Sequence, residues 1–253
     1  MALEQEKSNP EFGLIGKNIS YSFSKAYFAE KFELLKLPYH YDNFDIQSID
    51  EFKSIIKENP QLKGLNVTIP YKEDIISHLD ILNKKADKIG AVNTIRITKN
   101  KKLIGYNTDY YGFKKSLEPL LKKHHKTALI LGTGGASKAV AYALKKLGIN
   151  FDYVSRSQKD EAKFMYSDLT EDIISSYLII INCTPIGTYP NVNECPDIPY
   201  EAITSKHILY DLIYNPEQTK FLSVGDVKGA ITCNGLEMLK LQAEKAWKIW
   251  NRS

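Results

Sequence analysis

Cysteine is scarce in this chain. Cys183, Cys195 and Cys233 form no C-x-x-C pair and leave one thiol over from any pairing, which argues against a disulfide-stapled scaffold and predicts free thiols in a reducing compartment. Long apolar runs are missing too. Nothing approaches the roughly 20 residues that a membrane-crossing helix needs, and the run Tyr177–Ile181 suits a buried strand. The opening MALEQEKSNPEF is polar and acidic and does not read as a secretory signal. Net charge is only +4, and the densest basic cluster, Lys122 to Lys126, is short. It reads as a solvated helix end, although a locally basic surface also suits an anionic small molecule. Repeats and low-complexity segments are absent. These absences predict a soluble cytoplasmic protein with no nucleic-acid or membrane partner; monomer and homodimer are both compatible with them.

What is present is ordinary globular composition, 43% hydrophobic and 25% charged over 253 residues, enough for two modest domains. Short β-branched runs alternate with helical periods. Strands are predicted at Phe12–Ile15, Tyr39–Phe44 and Gly64–Ile69, and helices at Lys25–Lys36 and Ile49–Lys57, the latter with Asp50 as N-cap. Val92–Thr98 and Leu103–Tyr106 flank a turn-like Lys99-Asn100-Lys101 and suggest a hairpin. From Asp109 the style changes. A helix over Tyr111–Lys123 leads into strands at Thr127–Leu131, Phe151–Val154, Tyr177–Ile181 and His207–Ile213. Helices are predicted at Ala136–Leu147, ended by Gly148, and at Gly235–Trp250, whose apolar spacing marks a packing face. Alternation of this kind predicts an α/β fold with a parallel sheet.

The most legible stretch is TALILGTGGASKAV. Gly132-Thr133-Gly134-Gly135-Ala136-Ser137 falls between a strand and a helix, where glycines permit a tight turn and let backbone approach a pyrophosphate at the helix N-terminus. Ser137 stands in place of the third glycine of the usual pattern. At the end of the next strand an NAD site usually carries an acidic residue for the ribose hydroxyl. Here Ser155-Arg156-Ser157 follows instead, with Lys159 close by. Removing the carboxylate removes repulsion of a 2′-phosphate, and a guanidinium fork binds one, so the expected cofactor is NADP. Such an enzyme needs a group to handle a hydroxyl proton. Lys72, just past an apparent buried strand, and Asp109, closing GYNTD, are candidates.

GLNVTIPYKED, IGAVNTI, GYNTDYYGF, LGTGGASKAV, INCTPIG, YDLIYNP and NGLEMLKLQA occur in the order expected of the shikimate dehydrogenase family, which the chain resembles from Phe12 to Trp247. The resemblance implies reversible reduction of 3-dehydroshikimate to shikimate with NADPH. It implies a substrate-binding domain of residues 1–109 and 235–253 and an inserted Rossmann-like NADP-binding domain of residues 110–234. The active cleft would lie at their junction. Lys72 looks like the catalytic lysine and Asp109 like its partner. Ser22 and Ser24 resemble the pair that binds the substrate carboxylate, and Thr68, Asn93 and Gln242, with Tyr214 nearby, resemble ligands of the ring hydroxyls. Thr184, Leu212 and Gly235 are implied to meet the cofactor; no metal site is implied. Taken alone, Ser22 and Ser24 equally read as helix caps, Asn93 as a hairpin residue and Gln242 as an exposed helix position.

The sequence departs from the family pattern at Tyr21 and Lys25, where His and Pro are common, and at Ser155 and Ser157, where the arginine between them survives. Thr188 replaces a larger apolar residue. The short segment from Ser157 to Asn182 predicts a trimmed helix after Arg156. Two other readings stay open: a quinate/shikimate dehydrogenase with relaxed substrate and NAD use, and a non-catalytic regulator of the same fold.

Overall fold

The computed structural model describes residues 11–19 and 22–252. Contacts divide the chain into two compact units, residues 1–108 with 246–253 and residues 109–245. Each carries a six-stranded sheet among the described residues. The fold is α/β, as the alternating runs lead one to expect, and it has the two domains that the chain length allows and the family resemblance implies.

In the first unit the elements are β1 (Phe12–Gly16), α1 (Phe23–Leu34), β2 (Tyr41–Asp45), α2 (Phe52–Glu58), β3 (Gly64–Val67), β4 (Ile81–Leu82), α3 (Lys84–Ile89), β5 (Thr94–Ile97) and β6 (Leu103–Tyr106). The sheet order is β2-β1-β3-β5-β6-β4. β1 runs parallel between β2 and β3, while β5 and β6 form the predicted antiparallel hairpin. On α1 the buried residues Ser24, Phe28 and Phe32 recur every fourth position and so share one face. That face meets a wall of rings: Phe28 stacks on Tyr41 at 4.8 Å and lies 5.2 Å from Trp250, which lies 4.9 Å from Phe12. The start of α2 corrects an expectation. A 3₁₀ turn over Ile49–Glu51 precedes it, and the cap is Ser48 rather than Asp50. Ser48 Oγ accepts from the Asp50 N–H while Glu51 Oε1 accepts from the Ser48 N–H, closing a capping box.

In the second unit the elements are α4 (Asp109–Leu117), β7 (Thr127–Leu131), α5 (Gly135–Leu147), β8 (Asn150–Ser155), β9 (Phe164–Met165), α6 (Glu171–Ser176), β10 (Ile179–Asn182), β11 (Ile208–Asp211), α7 (Lys220–Val227), β12 (Ile231–Cys233) and α8 (Leu236–Trp250). The division between units falls within α8, after Lys245. The sheet order is β12-β11-β10-β7-β8-β9 and every pair is parallel. Its central strands are buried on both faces, which explains near-continuous apolar runs such as Ile179–Ile181. Counted from β7, the order is that of a doubly wound dinucleotide-binding sheet, with the topological switch between β7 and β10.

Two predicted helices are corrected here. The helix expected to reach Lys123 ends at Leu117 and tightens into a 3₁₀ turn over Glu118–Leu120, because Pro119 has no N–H to continue an α-helical ladder. No helix follows Arg156: β8 passes directly through residues 156–163 to β9, and the helical turns come after it. Among the described residues no helix is long and apolar enough to cross a membrane.

Candidate active site

In the first unit the candidate residues gather at the ends of the central strands. Thr68 follows β3 directly, its N–H donating to the Ile15 carbonyl at 2.8 Å, while the Tyr71 N–H donates back to the Thr68 carbonyl at 3.0 Å. The resulting turn carries Lys72, half-buried, whose carbonyl accepts from the Val92 N–H at 2.7 Å. The lysine is thus on a backbone stitched to two strand ends and not on a free loop. Asn93, next to Val92, is buried. Its Oδ1 accepts from the Thr108 N–H at 2.6 Å and its Nδ2 donates to Thr108 Oγ1 at 3.0 Å. That pairing fixes the backbone immediately before Asp109.

Ser22 is the N-cap of α1. Its Oγ accepts from the Lys25 N–H at 3.2 Å and donates to Asn43 Oδ1 at 3.0 Å. Ser24 is buried. The Tyr41 hydroxyl donates to Asn66 Oδ1 at 2.9 Å, and Asn66 Nδ2 donates to the Asn93 carbonyl at 3.2 Å. A relay of uncharged polar groups therefore runs from Tyr41 through Asn66 to Asn93. Burial raises the Tyr41 pKa well above the phenol range, so the relay stays neutral. Tyr41 and Asn66 were not among the sequence candidates. Lys25, one of the departures from the family pattern, has its ammonium 2.6 Å from the Asp42 carboxylate, on a half-exposed surface. Tyr21, the other departure, lies outside the described residues.

In the second unit, Asp109 opens α4 and is buried. Gln242 is also buried, on α8, where it faces α4: a Cβ built on Gly112 would lie 3.2 Å from the Gln242 Cβ. Tyr214 is 39% exposed. The glycine loop sits at the switch point. Gly132 adopts φ +100°, a region that side chains avoid, and a Cβ there would lie 3.0 Å from the Thr184 methyl on the loop after β10. Gly134 is the N-cap of α5 without a side-chain cap, and around its Cβ position there is open space. Ser137, in place of a third glycine, turns inward; its Oγ donates to the Gly134 carbonyl at 2.6 Å.

Beyond β8, Ser155 is buried and its hydroxyl donates to the Ser157 carbonyl, while Arg156 and Ser157 are exposed. Lys159 reaches back to the glycine loop, Nζ donating to Thr133 Oγ1 at 2.8 Å. These features fit a phosphorylated dinucleotide: open backbone at a helix N-terminus, two cations after β8, and no carboxylate among residues 155–159. Leu212 and Gly235 meet backbone to backbone, since a Cβ on Gly235 would lie 2.1 Å from the Leu212 carbonyl oxygen. Only glycine permits that approach.

Sequence reasoning also passed over two fully buried polar residues, Asn182 and Asp211. Both end apolar strands and lie side by side in register. A polar residue closing an otherwise apolar run was the available signal.

A family model for the shikimate dehydrogenase substrate binding domain matches residues 14–95. A shikimate dehydrogenase (NADP(+)) of Clostridium botulinum is 42% identical over 250 residues, spanning 94% of this chain and 95% of that protein. The crystal structure of shikimate dehydrogenase from Aquifex aeolicus is 34% identical with a TM-score of 0.85, covering 99% of this chain and 94% of that one. Shikimate 5-dehydrogenase from Thermus thermophilus, solved in complex with NADP(H) and shikimate, is 29% identical with a TM-score of 0.85, covering 96% and 93%. With ordered motifs, a doubly wound sheet and near full-length similarity in agreement, the chain belongs to the shikimate dehydrogenase family.

Proposed function

We propose that this chain is an NADP-dependent oxidoreductase that reversibly reduces 3-dehydroshikimate to shikimate, with Lys72 as general acid and base and Asp109 as its partner. The observation that carries this reading is the 42% identity, over 94% of the chain, to a relative named shikimate dehydrogenase (NADP(+)). NADPH, when bound, supplies the hydride. In the reductive direction the Lys72 ammonium donates a proton to the substrate oxygen; in the oxidative direction the amine takes it back. Asp109 orients that ammonium and accepts from a neighbouring hydroxyl of the substrate. Ser22 and Ser24, at the start of α1, bind the substrate carboxylate, where hydroxyl donors and the helix dipole add. Asn93 and Gln242 present amides that both donate and accept, which suits a ring bearing several hydroxyls, with Thr68 and Tyr214 as further contacts. Support for the Asn93 assignment comes from its rigid setting against Thr108.

For the cofactor, the loop from Gly132 to Ser137 takes the pyrophosphate, and Arg156, flanked by Ser155 and Ser157, takes the 2′-phosphate. Thr184, Leu212 and Gly235 line the remainder. The test is to incubate purified protein with shikimate and NADP and follow the absorbance of reduced nicotinamide, with quinate and NAD in parallel. Reduction with shikimate and NADP is expected. Folded protein that reduces neither cofactor with either substrate would overturn the proposal.

A further inference from the structure

Asp211 is a fully buried carboxylate to which the proposed reaction gives no part. It ends β11, at the carboxyl edge of the parallel sheet where doubly wound folds bind their ligands. Three donors converge on it. Asn182 Nδ2 and the Ile213 N–H donate to Oδ1 at 3.0 and 3.1 Å, and Thr219 Oγ1 donates to Oδ2 at 2.7 Å. Among the described residues no cation pairs with it. Desolvation pushes its pKa up to about 6 and the three hydrogen bonds pull the other way. A buried charge held only by donors is costly, and a well-packed apolar residue would cost less in stability alone.

The donors lead toward the loops already described. Asn182 Oδ1 accepts from the Thr184 N–H at 3.0 Å and from Thr184 Oγ1 at 2.6 Å, and the Thr184 methyl flanks Gly132. On the other side, Ile213 accepts through its carbonyl from the Gly235 N–H at 3.0 Å and precedes Tyr214. Thr219 is the N-cap of α7. One carboxylate thus ties together the loop after β10, the segment after β11 and the start of α7.

We infer that Asp211 is a positioning residue for cofactor binding: its carboxylate, acting through Asn182 and the Ile213 N–H, sets the Thr184 loop and the Leu212–Gly235 backbone contact against the dinucleotide. The inference rests on the assignment of Thr184, Leu212 and Gly235 to the cofactor. Asp211→Leu removes all three acceptor contacts at similar volume. Asp211→Asn keeps a carbonyl for Asn182 and Ile213 and offers an amide to the Thr219 hydroxyl.

The experiment measures NADPH affinity by protein fluorescence, together with the KM values for NADP and shikimate, on the full-length wild type and both variants after circular dichroism shows folding. Asp211→Leu should weaken NADPH binding about tenfold, the effect of losing buried hydrogen bonds to a charged group. The KM for shikimate should stay within about twofold and Asp211→Asn should recover most of the affinity, since it keeps the acceptor geometry. Unchanged NADPH affinity in folded Asp211→Leu, an equal shift in both KM values, or an Asn variant no better than Leu would each overturn the inference. If Asp211→Leu does not fold, Asn182→Ala tests the same relay, and unchanged affinity there overturns it as well. A wild type that binds NADPH but does not oxidise shikimate would overturn the proposed reaction instead, because cofactor affinity is read separately.

Discussion

Each unit carries a buried polar relay, and the two differ in charge. In the first unit Tyr41, Asn66 and Asn93 are linked by neutral hydrogen bonds across β2, β3 and the segment before β5. In the second, Asn182, the Ile213 N–H and Thr219 converge on the carboxylate of Asp211, with Thr184 donating to Asn182. A neutral relay holds side chains in register at modest cost, because each group trades one partner in water for one in the protein. A charged relay is costlier and stiffer, because each donor it holds is attracted by a full charge in a poorly screened setting. The contrast matches what each region is proposed to do: the first presents hydroxyl and amide groups to a polyol, and the second fixes loops against a dinucleotide.

The sharpest way to separate the two regions is Lys72→Ala. Turnover should fall about 10²- to 10⁴-fold, the usual worth of a positioned proton donor, with NADPH affinity unchanged by titration. Near-normal turnover would remove Lys72 from the chemistry.

Next in size is the pH dependence of the charged relay. Between about pH 4 and 6 the folded protein holds a proton on Asp211 that the unfolded chain has released, since the pKa is raised from 3.8 to about 6. Its contribution therefore favours folding in acid and is lost as pH rises through 6. Asp211→Asn should gain on the wild type by about 2.4 kcal/mol between pH 4 and pH 7, most of the shift's total at about 1.36 kcal/mol per pKa unit, measured by urea unfolding at both values. A constant difference would reject the buried charge. At the opposite, amino edge of the same sheet the sign reverses. His125 and His207 are buried, each sharing a hydrogen bond with a backbone carbonyl, of Lys206 and Ile174 respectively, and desolvation holds both below their ordinary 6.5. Their contribution is present above pH 6.5 and is lost as pH falls, so His207→Gln should flatten that acid limb.

Arg156→Ala should raise the KM for NADP by an order of magnitude or more, about 2 kcal/mol for a charge-assisted contact, while the KM for NAD moves little. Equal effects on both cofactors would move the 2′-phosphate contact elsewhere. The smallest effect belongs to the neutral relay. Tyr41→Phe leaves Asn66 Oδ1 without its donor and should cost about 1 kcal/mol of stability, read from thermal melts; a loss as large as that of the charged relay would erase the distinction.

Much of this was legible in the chain itself. Glycines between a β-branched run and an amphipathic run announced the tight turn from β7 into α5, because few other residue patterns allow it. The capping box from Ser48 to Glu51 was equally readable from S-x-x-E and was passed over for Asp50. The end of α4 at Leu117, short of the predicted Lys123, was readable from Pro119, which cannot continue the helical ladder. Other features were beyond local reading. Tyr41 and Asn66 meet only because β1 pairs with β2 and β3 in one register, and Asn182 meets Asp211 only because β10 and β11 align. The direct passage from β8 to β9 depends likewise on the sheet accepting an edge strand of two residues.

By itself the sequence determined the alternation of strands and helices, the glycine-rich turn between a strand and a helix with basic residues after the next strand, and the side chains proposed for the chemistry. These are set by neighbours a few positions apart, whose spacing fixes which groups share a turn or a face. Only tertiary structure decided which buried polar groups find partners. Those partners lie tens of residues away along the chain, and strand register alone brings their atoms within hydrogen-bonding distance.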